Sequence, residues 1–108
     1  MWLMRGLSII AAAEVPITRG ERRRGLLGRD GIEGVLVIKP CRQVHTVGMK
    51  FAIDVGFCDR TGLVIHTATM GPGRLSRVVF RAALVIEAEA GSFKEWGLAI
   101  GDVIEVRE

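Results

Sequence analysis

From Phe51 to Cys58 large apolar side chains alternate with small or polar ones. Phe51, Ile53, Val55 and Phe57 fall on one face, and Ala52, Asp54, Gly56 and Cys58 on the other. A period of two predicts a strand. Asp59-Arg60-Thr61-Gly62 follows as a hairpin turn with Gly62 at a positive-φ position, and Leu63–Ala68 is the partner strand. Upstream, Leu7–Val15 reads as the first strand, and Gly34–Ile38 is an unbroken apolar run of the kind buried on both faces. Downstream, Ala83–Glu89 returns to strand and Ala90-Gly91 turns it. Ser92–Trp96 makes one helical turn, and Val103–Arg107 closes the pattern. Gly71-Pro72-Gly73 and the basic stretch Arg74–Arg81 are connections.

Only one segment predicts a longer helix. Thr18 and Glu21 have capping-box spacing: the Thr18 hydroxyl accepts from the Glu21 amide while the Glu21 carboxylate reaches back. The helix runs over 18–28, with Leu26 and Leu27 on its apolar side and Gly28 as its left-handed stop. Gly20 and Gly25 each cost it about 1 kcal/mol against alanine, so packing must hold it. Short strands, close turns and little helix predict a mainly β, β-rich α+β fold: a small barrel or sandwich with one or two short helices. Strands do not alternate with long helices, which excludes a doubly wound sheet.

Length and composition sharpen this. The 108 residues form one expected domain, 1–108, long enough to hide roughly two thirds of the unfolded surface. With 49 % apolar and 25 % charged residues the chain is not disordered. A net charge of +3 is too mild to imply a strong polyanion-binding field. Cys41 and Cys58 lack both a disulfide framework and CxxC spacing. Two reduced, buried thiols are the expectation, with one disulfide as the alternative. The apolar run in Met1–Ala13 is broken by Gly6 and Ser8, and its arginine follows the first apolar residues. It therefore reads as part of the domain, not as a leader, and the expected location is the cytoplasm. No segment is long and apolar enough for a membrane span.

Four segments occur in a telling order: Arg24-Gly25-Leu26-Leu27-Gly28-Arg29, His45–Phe51 with Ile53-Asp54-Val55, Val85–Gly91, and Gly97-Leu98 with Gly101-Asp102. Together they resemble the domain-of-unknown-function 192 family of bacterial and archaeal proteins, from about Ser8 onward. The resemblance implies a mainly β fold and brings no assigned activity. Many relatives resemble secreted or periplasmic proteins with a tryptophan near the motif methionine. This chain has Gly48 before Met49 and resembles the leaderless branch, some of whose members resemble accessory proteins of pilus loci.

His45 and Asp54 are the leading candidate pair, because a carboxylate beside an imidazole fixes its tautomer and makes it a general base. Arg24 and Glu87 occupy motif positions and are expected to join them in one polar cluster, Arg24 neutralising one acid. The competing structural reading has His45 capping a turn and Asp54 pairing with an arginine. No activated nucleophile accompanies the pair. Cys41, His45, Cys58 and His66 match no zinc spacing, so neither metal nor cofactor is expected. Gly25, Met49, Gly101 and Asp102 read as structural, Asp102 capping amides at a tight bend. The arginine runs lack interleaved aromatics, so a solvated face outweighs nucleic acid. The function expected is a non-enzymatic accessory or binding module with a protein or small-molecule partner. The alternative is a small acid/base or hydrolase-like enzyme using His45 with Asp54.

Overall fold

The computed structural model describes residues 1–108. Seven strands form one sheet in the order β5-β4-β6-β3-β2-β1-β7. They are β1 (Trp2–Arg5), β2 (Ser8–Glu14), β3 (Val35–Ile38), β4 (Ile53–Cys58), β5 (Val64–Met70), β6 (Leu84–Glu89) and β7 (Glu105–Arg107). Two short helices complete the fold, α1 (Arg19–Arg24) between β2 and β3 and α2 (Ser92–Trp96) after β6. The mainly β expectation is met. No helix is long and apolar enough to cross a membrane.

All neighbours pair antiparallel except β2 and β3, which run parallel through Ala13↔Val35 and Glu14↔Leu36 with α1 in the crossover. The ladder stops short of a closed barrel, but its two edges are stitched together. Leu63 and Val103 form an isolated bridge. Around it Val64 N donates to Asp102 O at 2.8 Å, and Ile104 N to Gly62 O at 2.9 Å. The Asp59–Gly62 turn makes this seam possible. Asp59 Oδ1 accepts from Thr61 N, Thr61 Oγ1 and Leu63 N at 2.9, 2.7 and 3.1 Å. Gly62 has φ 88°, and a Cβ there would strike the Ile104 carbonyl oxygen.

Both faces of the sheet are covered, so β4 is buried at every position. One face packs Ile53, Val55, Phe57 and Val85 against Leu26, Val44 and Met49. The other packs Cys58, Ile86 and Ala88 against Leu3, Phe93 and Ile104. Gly56 is required on that second face: a Cβ would lie 2.9 Å from Ile86 Cγ1 and 3.2 Å from Phe93.

Three expectations need correction. A strand that the sequence pattern did not suggest, β1, precedes the expected first one; Gly6, at φ 60°, and Leu7 form the turn between them. The helix ends at Gly25 and not at Gly28, because Gly25 takes φ 50° and returns its amide to Glu21 O. Leu26 and Leu27 therefore lie in the turn beyond α1. The capping box is half formed: Glu21 N donates to Thr18 Oγ1 at 3.1 Å, without the reciprocal bond from the Thr18 amide. Asp102 accepts from one backbone amide, Ala99 N, and from Arg5 Nη1, each at 3.0 Å. The Ala99 amide, then the arginine, hold its carboxyl below the usual range.

Candidate functional site

Strand register separates the two motif acids. Val55 lies opposite Glu87 and Asp54 opposite Ala88, so the Asp54 carboxyl on β4 and the Glu87 carboxyl on β6 leave the sheet on opposite faces. Asp54 is 5 % exposed and fully engaged. Its Oδ1 accepts from Thr69 Oγ1 at 2.8 Å, and its Oδ2 accepts from the amides of Gly91 and Phe93 at 2.9 and 3.1 Å. This joins β4 to β5 and to the start of α2. The expected His45–Asp54 pair does not form, because the sheet stands between them.

Glu87 has the opposite character. Flanked in the ladder by Leu36 and Val55, it is equally buried at 5 % exposure. Its carboxyl makes no hydrogen bond or ion pair within the chain, and burial pushes its pKa up to about 7. A pocket of about 210 Å³ opens onto it, walled by Leu27, Cys41, Met49 and His45, with Arg24 among its lining residues. His45 and Arg24 are exposed and stand at its mouth. Arg24 forms no ion pair, so it does not neutralise Glu87 as expected. Three of the four expected cluster residues thus share one pocket, and Asp54 does not.

Two residues contribute in ways the sequence did not indicate. Thr46, wholly buried, donates from Oγ1 to Gly71 O at 2.6 Å and accepts from Arg74 N at 2.9 Å. It pins the 71–74 loop beside the His45 segment, and a threonine between exposed neighbours gives no periodic signal of this. Cys41 is half-buried, its Sγ donating to Gln43 O at 3.2 Å; desolvation, the largest influence, pushes its pKa up. Both cysteines are free. Cys58 lies sealed on the far face, while His66 packs against Phe57 with ring centroids 5.5 Å apart and the rings tilted by 41°. The four possible zinc ligands therefore do not converge.

The sequence model of DUF192, described as Uncharacterized ACR, matches residues 5–106. No functionally curated protein matches the chain. Two crystal structures are similar in fold. One is a protein of unknown function from Novosphingobium aromaticivorans DSM 12444: 18 % identity, 87 % of this chain and 74 % of that one, TM-score 0.75. The other, from Sinorhizobium meliloti 1021, is provisionally described as a transcription regulator: 20 % identity, 86 % and 79 % covered, TM-score 0.73.

Proposed function

The chain belongs to the DUF192 family, and from that premise we propose a non-enzymatic binding module that holds a small cationic or donor-bearing ligand at Glu87. The observation that carries this reading is a carboxyl at a buried strand position that has no partner within the chain and whose oxygens keep contact with solvent at the pocket. Partial desolvation of such a group disfavours its ionised form. A structural role would have supplied donors, as Asp54 has them. An ammonium or N–H from outside would offset the cost, and His45 and Arg24 at the mouth would orient an anionic end of the same molecule. The pocket is small and open at its mouth, which favours a ligand with few heavy atoms. Two free thiols support a reducing compartment, and the cytoplasm is the location we assign.

An NMR titration with ethanolamine, against acetate as control, tests the reading. Amide shifts should centre on Leu26, Leu27, Met49 and Glu87 and vanish in Glu87→Gln. With so few atoms the Kd should be no tighter than about tens of micromolar. Shifts scattered elsewhere, or unchanged by the substitution, would defeat it.

One observation favours a second reading. A carboxyl poised near neutral beside an imidazole suits proton transfer, with Glu87 in the role expected of Asp54. Hydrolysis of p-nitrophenyl esters by the wild type, absent in Glu87→Gln, would move the reading to an enzyme.

A further inference from the structure

A second concavity, which meets the Glu87 pocket at Cys41, lies between the 40–42 segment, the Asp59–Gly62 turn and the 80–83 segment. It is a groove of about 820 Å³, close to four times the pocket's volume, and Arg42, Arg60 and Arg81 line it from three separate stretches of chain. All three arginines are exposed and none has a carboxylate partner. The one acid in the groove, Asp59, is committed to its own turn by three hydrogen bonds. Those contacts, the Thr61 hydroxyl first, hold its carboxyl below the usual range, so it stays ionised and local charge remains at three cations against one anion.

Phe80 sets one large apolar side chain among the arginines of the groove. Phe80 is 79 % exposed beside Arg81, whereas Leu75 and Val78 of the same connection lie outside the groove lining. The backbone presenting Phe80 is fixed. Val79, buried between Val78 and Phe80, donates its amide to Arg42 O at 2.8 Å, and Ala82 N donates to Val79 O at 3.0 Å. Ser76 Oγ accepts from Val44 N at 2.9 Å, and Arg42 Nε donates to Ala82 O at 3.4 Å. A surface already ordered loses little entropy when a partner binds.

We propose that this groove docks an extended acidic segment of a partner protein, with carboxylates on Arg42, Arg60 and Arg81 and an apolar side chain packed on Phe80. Guanidiniums spread over three segments suit a chain that carries several carboxylates, and planar guanidinium matches carboxylate in two-point pairing. Nucleic acid fits less well: the groove offers bases a single aromatic ring, Phe80, to stack on. A bilayer would need a convex apolar tip, whereas these arginines line a concavity. Charge complementarity of this kind sets association rate and specificity and weakens with salt.

Fluorescence anisotropy of the whole chain with a labelled dodecapeptide of alternating glutamate and leucine tests the proposal. A lysine-leucine peptide, a thymidine dodecamer and phosphatidylglycerol-containing vesicles serve as the competing occupants. The glutamate peptide should bind and lose about tenfold in affinity between about 50 and 300 mM salt. Arg60→Glu with Arg81→Glu should weaken it by a further factor of about ten, and Phe80→Ser by a factor of several. These side chains are exposed, so melting temperature should hold. Glu87→Gln should leave peptide binding unchanged, which separates this groove from the pocket. Equal binding of the lysine peptide would overturn the proposal. So would insensitivity to the arginine reversals, or tighter binding of oligonucleotide or vesicle that the same reversals abolish.

Discussion

Replacing Glu87 by glutamine should change how stability depends on pH, and the size of the change follows from burial. The carboxyl's pKa rises from an ordinary 4.5 to about 7 in the folded chain. Two and a half units correspond to about 3 kcal/mol between its protonation states. Between those values the folded chain keeps a proton that the unfolded chain has released. Stability therefore falls as pH rises through this window, and the whole cost is present above it. Across pH 5 to 8 the loss from this one group is about 2 kcal/mol, or roughly 10 °C in Tm for a domain this size. His45, Cys41 and Arg24 face the same pocket and remain in the variant, so most of their contribution cancels in the comparison. The glutamine amide carries its own desolvation cost at both pH values, which is why the difference between pH values is the decisive quantity. Urea denaturation of both proteins at pH 5 and pH 8 measures it. Glu87→Gln should gain about 2 kcal/mol on the wild type between the two conditions. Parallel stability profiles, or a gap that opens toward acid pH, would refute a buried carboxyl without a partner.

Asp54→Asn should do the reverse and destabilise the chain by about 2 kcal/mol at neutral pH, because charged bonds to Thr69, Gly91 and Phe93 are weakened or lost. Ligand shifts at the Glu87 pocket should persist in that variant; their loss would tie the two sites together. Gly56→Ala should cost about 1–3 kcal/mol by chemical denaturation, since the new methyl meets Ile86 and Phe93. Wild-type stability in that variant would mean α2 sits less tightly on the sheet. In the native protein Ellman's reagent should leave Cys58 untouched, its thiol pushed up to about 12 by burial, and modify Cys41 slowly. Denaturation without reductant should expose two thiols; finding none would indicate a disulfide.

Much of the sheet is legible in local pattern. The alternation from Phe51 to Cys58, the Asp59–Gly62 turn and the apolar runs before Ile38 and Glu89 correspond to β4, its hairpin, β3 and β6. In each case the signal lies within a few residues, where side-chain period and turn chemistry act directly. β1 was not legible. Its four residues carry no clear period, and its partners are β2 across a tight turn and β7 at the far end of the chain. The end of α1 depended on Gly25 taking a positive φ that Gly28 also takes, and nothing local ranks the two.

The division between Asp54 and Glu87 belongs to tertiary structure alone. Alternation says which neighbours share a face within one strand, but not which face of β4 continues which face of β6. The register Val55↔Glu87 decides that, and it is set by packing between strands some thirty residues apart. Both faces of this sheet are buried, so parity does not mark inside from outside either. The sequence therefore determined that two acids sit in apolar strands. Only the folded chain decided that one is satisfied by backbone amides and the other is left facing an open pocket, because hydrogen-bond partners are assigned by three-dimensional proximity.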